Sequence, residues 1–268
     1  MTALGVIPAR KNSERFPGKH HVPLLGKPML AYTLEAALAS KRLDRVVVSS
    51  DDLSLKPLAD RVGAEFIERP ANLATATATL EDAVRHAYRL LASRDGFRPD
   101  LAIVMQGNVP VRKAGQIDEV ICRLEELPRA TAVCTAQEIR LRSEWGKRVV
   151  NEATGEVVAQ QPGLASYRTQ DLQKLFAVDG AVCGVQIRTL MAGEGNTTAH
   201  AWLGERLHLL VQDHPMYSIE VDYPDQVPLA EFYLLSQRHG ERWYQVLGQQ
   251  ATVPPITSLV ERGGSSGA

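Results

Sequence analysis

"GVIPARKNSERFPGKHHVPLLGKPML" runs from Gly5 to Leu30. It begins as a short apolar strand and ends at the opening of a helix. Between them lie Ser13, Gly18, Pro17, Pro23 and the cations Arg10, Lys11, Arg15 and Lys19. A strand, a polar turn and a helix in that order are the first half of a strand–helix–strand unit. Pro28 suits a helix start, and Leu30, Leu34, Ala37 and Leu38 fall on one face of "PMLAYTLEAALAS".

The same alternation continues outward. "RVVVSS" (45–50) reads as a second buried strand and 54–62 as a helix ended near Gly63. "AEFIERP" is extended. Thr77 to Ala92 reads as an amphipathic helix with Leu80, Val84, Ala87, Leu90 and Leu91 inward. "DLAIVMQG" is a further strand, 114–127 a helix and "ATAVCTAQ" a strand. The pattern predicts an α/β fold: three layers, with a mostly parallel sheet covered by helices on both faces. Ligands in such sheets bind beyond the carboxyl ends of the strands. That points to the loop at 9–21, to Ser49–Asp52 and to Gln106–Arg112.

Regularity lapses over 138–178, which is too long for a connection. The expected organisation is a core of residues 1–137 and 179–250, an inserted arm at 138–178 and a flexible tail at 251–268. "GAVCGVQI" and "LHLLVQD" read as strands, and "YPDQVPLAEFYLLSQRHG" reads as a helix.

Composition narrows the function. The chain has 268 residues, 44% of them apolar, and a formal net charge of −1, so the cationic loop is local. Neither nucleic acid nor an anionic membrane is an expected partner. No apolar run approaches the roughly 20 residues that span a bilayer. Thr2-Ala3-Leu4 leads directly into the first strand, so no signal peptide is expected. Cys122, Cys134 and Cys183 lie far apart without a CxxC, which argues against a disulfide scaffold or zinc site and fits a cytoplasmic location.

Phosphate is held by backbone N–H groups of tight loops and by Lys or Arg. The first loop offers both, without the spacing of a GxxxxGK[ST] or GxGxxG motif. "IPARKNSERFPGK" resembles the signature of the cytidylyltransferases that activate acidic sugars, the CMP-N-acylneuraminate and CMP-Kdo synthetases. Pro8, Ala9, Arg10, Ser13, Arg15, Pro17, Gly18 and Lys19 carry the resemblance. "AEFIERPANLATATAT", "VMQGNVPVR", "DGAVCGVQI" and "YSIEVDYPDQVPLAE" extend it over roughly Leu4 to Tyr233, closer to the acylneuraminate branch.

The resemblance implies a nucleotide-diphospho-sugar transferase-like fold with a dimerisation arm. It also implies transfer of CMP from CTP to a 2-keto sugar acid with release of pyrophosphate. Arg10, Ser13, Arg15 and Lys19 would hold the phosphates, with Arg10 and Lys19 catalytic. His20 and Arg69 would contact the nucleotide, and Gln106 and Asp179 would lie near the acceptor. Lys147 and Arg168 are candidates for its carboxylate. Glu220 and Asp222 match paired Mg²⁺ ligands, and their spacing on a strand would place both on one face. A homodimer follows from the same resemblance. The sequence departs from the family pattern at Ala76, Thr79 and Leu80, at Gly107-Asn108-Val109, and at Ala177 and Asp179. A nucleotidyltransferase or glycosyltransferase with a different base or sugar, or a non-catalytic nucleotide-binding protein, are the alternative readings.

Overall fold

The computed structural model describes residues 1–75, 77–139 and 174–239, together with the backbone of two short strands at 148–150 and 157–159. In chain order the strands are β1 (Ala3–Pro8), β2 (Pro23–Leu24), β3 (Lys27–Pro28), β4 (Arg45–Ser50), β5 (Glu65–Glu68), β6 (Leu101–Val104), β7 (Ala132–Glu138), β8 (Arg148–Val150), β9 (Val157–Ala159), β10 (Phe176–Gln186) and β11 (Leu207–Val211). The helices are α1 (Met29–Leu38), α2 (Lys56–Val62), α3 (Leu80–Arg94), α4 (Gln116–Glu126), α5 (Ile187–Ala192) and α6 (Val227–His239).

Seven strands form one sheet in the order β11-β7-β10-β6-β1-β4-β5. β1 pairs in parallel with β4 and β6, β4 with β5, and β11 with β7. β10 runs antiparallel between β6 and β7. The mostly parallel sheet is therefore as expected, with one reversed strand. Alternation along β1 sends Ile7 to the face covered by α1, α2 and α4, where Leu34, Ala59 and Val120 pack. Leu4 and Val6 go to the opposite face with Val84, Ala87 and Leu91 of α3 and Leu190 of α5. These are the three layers. A smaller cluster joins Leu24 and Met29 to Ile219, Val221, Ala230 and Leu234, so α6 clamps the end of the first loop.

Some expectations shift. Leu38, placed inward by periodicity, is 38% exposed. The third helix begins at Leu80 rather than Thr77, because Thr79 caps it: its hydroxyl accepts from the Asp82 N–H in a capping box. Residues 219–222 form no strand; 3-10 turns flank an extended segment that donates one backbone bond, from Val221 to the Asn108 carbonyl at 2.8 Å. Ala177 and Val178, assigned to the arm, belong to β10 and pair with Gln137 and Ala136. Most of the 138–178 arm, including Lys147 and Arg168, lies outside the described residues, as do Ala76 and the 251–268 tail.

The cysteines overturn the sequence expectation. Cys134 of β7 and Cys183 of β10 are directly opposed partners in the antiparallel pair and form a disulfide across 49 residues of sequence. Distance along the chain hid a proximity that strand pairing creates. Cys122 is free. No described helix is long and apolar enough to cross a membrane.

Candidate active site

The first loop is tied to the ends of the neighbouring strands. Ala9 N–H donates to the Ser49 carbonyl at 3.0 Å, and Lys11 N–H donates to Asp51 Oδ1 at 2.8 Å. Ser50 Oγ donates to the Ala9 carbonyl. Arg10 Nη1 reaches the Thr75 carbonyl at 2.7 Å. Gly18 then turns the chain into a short 3-10 turn, Lys19–His21.

A cleft of about 280 Å³ opens over these strand ends. Arg10, Ser13, Lys19, His20, Arg69 and Gln106 line it, with Pro8, Asn108 and the start of α3 at Ala78, Thr79 and Leu80. The fold thus brings six of the sequence-predicted residues to one place. The cations are concentrated opposite a helix N-terminus, a combination that suits a bound anion.

Arg69 is 6% exposed; its Nη2 donates to the Ser49 carbonyl at 2.6 Å and its Nε to Ser49 Oγ at 3.3 Å, which fixes the guanidinium at the cleft wall. Burial lowers its pKa from the usual arginine value. His20 is buried, and Gly107 is what makes room for it: a Cβ at position 107 would stand 3.0 Å from the imidazole. Burial, reinforced by Lys19, pushes the His20 pKa down to about 3, so the ring is neutral. Its Nδ1 has no hydrogen-bond partner among the described residues.

Asp222 and Glu220 are not among the cleft-lining residues, but Asp222 holds two that are. Lys19 Nζ donates to its Oδ1 at 2.8 Å and Asn108 Nδ2 to the same oxygen at 2.9 Å, while Arg15 pairs with Oδ2. The Asp222 N–H donates to Gln226 Oε1 at 2.7 Å. Arg15 is not among the cleft-lining residues; it lies outside, exposed, with its guanidinium carbon 5.5 Å from the Tyr223 ring centroid. Asn108 is the contact that the sequence reading passed over as a mere departure. It lies in a turn closed by the Val109 N–H to the Gln106 carbonyl at 3.3 Å, where strand alternation gives no signal for a partner 114 residues away.

Glu220 stands beside Asp222 without a strand to align them. Burial raises its pKa to about 7, helped by the charges of Asp222 and Asp179. The two carboxylates lie near enough for the charge of Asp222 to act on Glu220, and no group of three or more metal-ligating side chains occurs among the described residues. That donor set fits Mg²⁺, which takes one or two carboxylates and completes its shell with water and phosphate. It would not suit zinc.

Asp179 has a different place from the one expected. It is 5% exposed and its oxygens accept from Thr135 Oγ1, the Ala181 N–H, Gln212 Nε2 and Ser218 Oγ. All its acceptor capacity goes into holding the β10 bend, so it has none to offer an acceptor. Arg112 plays a similar part: fully buried, it donates to the carbonyls of Gln106, Val109 and Ala181 and to Thr33 Oγ1, fixing the loop after β6. At that bend Gly180 has φ +65°, and a Cβ there would be 2.5 Å from Gln106 Nε2 and 2.9 Å from Glu220 Oε1.

A second cavity, of about 340 Å³, lies on the other side of Gln106. Leu80 and Gln106 line both spaces. Val104, Val178, Gly180, Cys183, Ala199, Trp202 and Leu203 supply apolar or small walls, and Glu81 and His200 the further polar groups.

A family model described as Cytidylyltransferase matches residues 4–173. The chain belongs to the cytidylyltransferase family. Within it, an N-acylneuraminate cytidylyltransferase of Escherichia coli O18:K1:H7 is 32% identical over 130 residues, 48% of this chain and 30% of the relative. An 8-amino-3,8-dideoxy-manno-octulosonate cytidylyltransferase of Shewanella loihica is 35% identical over 130 residues, 48% of this chain and 50% of the relative. The chain thus spans half or less of these relatives' length, and both sugar branches match at similar identity. Among solved structures, CMP:2-keto-3-deoxy-manno-octonic acid synthetase in complex with CTP superposes with a TM-score of 0.64 at 18% identity, covering 89% of this chain and 100% of that one. The 4-diphosphocytidyl-2C-methyl-D-erythritol synthase of Anaerococcus prevotii gives 0.58 at 14% identity over 87% and 98%. The cytidylyltransferase-family chain shares their fold.

Proposed function

We propose that this protein transfers CMP from CTP to the anomeric hydroxyl of a 2-keto sugar acid, of the sialic acid or Kdo type, and releases pyrophosphate. The observation that carries the reading is the cleft itself. Arg10, Ser13 and Lys19 converge at the strand ends, with Arg69 and neutral His20 beside them and Asp222 holding Lys19 in place. The sequence relatives, which act on acidic sugars by name, support the same substrate class.

In this reading Arg10, Ser13 and Lys19 bind the triphosphate, and Arg69 and His20 position the nucleoside. Gln106, shared by the two cavities, orients the acceptor hydroxyl towards the α-phosphate. The hydroxyl oxygen forms a bond to the α-phosphorus while the α–β phosphoanhydride bond breaks. Pyrophosphate leaves, and the hydroxyl proton passes to solvent. Charge that develops on the phosphoryl oxygens is met by Lys19, already oriented before the reaction. Glu220 and Asp222 would hold Mg²⁺, which when bound neutralises phosphate charge. The need for CTP supports a cytosolic reaction, a compartment in which the Cys134–Cys183 bond would be unusual. The apolar edge strand β11, with Leu207, Leu209 and Val211 exposed, supports a homodimer, since open edges of this kind are normally covered.

The test is pyrophosphate release with each of CTP, UTP, ATP and GTP. The acceptors are N-acetylneuraminate, 3-deoxy-manno-octulosonate and its 8-amino-3,8-dideoxy form, each with and without Mg²⁺. Release is expected with CTP, an acceptor and Mg²⁺ together. Release without preference among nucleotides, or none with any acceptor, would overturn the reading.

A further inference from the structure

The cavity beside the nucleotide cleft has a charge pattern of its own. No lysine or arginine lines it among the described residues. Its one acidic group is Glu81, in the first turn of α3, half-buried and with no hydrogen bond or ion pair among the described residues. The neighbouring acid, Asp82, is by contrast fully employed, in the capping box and in an ion pair with Arg85 at 3.0 Å. Asp82 therefore already serves the helix terminus. Glu81 is the acid left facing a cavity.

The two spaces meet at Gln106 and Leu80, so a molecule that presents a hydroxyl to the nucleotide from this side extends its remainder into the second cavity. The walls there sort its groups. Trp202 and Leu203 suit the C–H faces of a sugar chain, which are apolar. A second carboxylate would meet Glu81 and be repelled. An ammonium group would form a charge-assisted hydrogen bond with it, in surroundings drier than bulk water.

We propose that Glu81 is a specificity-determining residue that selects an acceptor bearing an amine at its far end. The inference rests on the reading of the cleft as a cytidylyl-transfer site, and adds to it the chemical class of acceptor. The acceptor's own carboxylate would lie towards the cations of the nucleotide cleft, and its amine towards Glu81.

The experiment compares two acceptors that differ only in that group, 3-deoxy-manno-octulosonate and its 8-amino-3,8-dideoxy form. Calorimetry measures the binding of each to the CTP-loaded full chain and to Glu81→Gln, and pyrophosphate release is followed separately. The wild-type chain is expected to bind the amine-bearing acceptor about ten- to a hundredfold more tightly, the range for a hydrogen bond to a charged group. Glu81→Gln should lose that preference, chiefly in the acceptor KM, with KM for CTP unchanged. Glu81→Asp should restore part of it. Equal binding of the two acceptors, binding of neither, or a preference that survives in Glu81→Gln would overturn the proposal. Release from the hydroxyl acceptor alone would do so too, while leaving cytidylyl transfer standing. Amine-selective, Glu81-dependent binding without release would instead uphold Glu81 and overturn the transfer reaction.

Discussion

Lys19 and Asp222 are 203 residues apart in sequence, and their side chains meet at 2.8 Å. Both are nearly out of solvent, at 13% and 11% side-chain exposure. The pair joins the first loop to the segment before α6, so the proposed phosphate-binding cation and the proposed metal-side carboxylate are one unit. Lys19 cannot sway as a loop lysine would, and Asp222 is ion-paired where Glu220, among the described residues, is not.

Lys19→Ala should therefore do two things. Loss of a preorganised donor to developing charge should cut kcat about a hundred- to a thousandfold. Leaving Asp222 with one fewer partner should also cost about 1 to 2 kcal/mol of stability. Lys11→Ala, whose side chain is exposed and whose backbone makes the contact to Asp51, should change neither. Kinetics and urea unfolding of both variants check this. Equal effects would mean a diffuse basic patch.

Glu220 sets a pH dependence. Its carboxyl holds a proton to about pH 7 in the folded chain, against a usual value of 4.5. The folded state therefore binds more protons across that window, so this group's contribution to stability is full below it and falls as pH rises from 4.5 to about 7. Glu220→Gln should remove the fall, visible as a flatter pH profile of the urea midpoint. Because a metal competes with that proton, the half-saturating Mg²⁺ concentration for turnover should drop as pH rises through the same range.

Gly180→Ala tests the bend of β10. The residue would have to adopt φ +65° and place its Cβ against Gln106 and Glu220. The backbone term alone should cost about 1 to 2 kcal/mol. Displacement of Gln106 should lower kcat further than that loss explains. Thermal unfolding and steady-state kinetics on the same sample separate the two.

The disulfide can be counted. Of the three cysteines only Cys122 is free, so denatured, unreduced protein should show one reactive thiol and reduced protein three. A cross-link spanning 49 residues constrains the unfolded chain by about 4 kcal/mol on a chain-entropy estimate, so Cys134→Ser should lower the unfolding midpoint under non-reducing conditions. Three thiols without reductant would refute the bond.

The sequence was most legible where interactions are local. The apolar run at 45–50 became β4 with the same limits, and the alternation of strands and helices gave the layers, because burial on both faces writes itself into each segment. Helix starts were less clear. "TATLED" reads as helical by pattern, yet Thr79 prefers to bond its own turn, and capping overrides periodicity. The spacing of Glu220 and Asp222 suggested a strand that does not form; the two lie in an extended segment between 3-10 turns.

What the sequence alone determined is the class of fold and the set of candidate side chains, since both follow from neighbours within one element or one loop. The tertiary structure decided which of those side chains are available. It withdrew Asp179 into an internal network and moved Arg15 outside the cleft. It brought Asn108 to Asp222, joined Cys134 to Cys183, and left Glu81 facing a cavity. Each of these depends on strand order and on contacts between residues far apart in the chain. Periodicity and spacing carry no record of such contacts, because they describe a residue's own element and not what that element packs against.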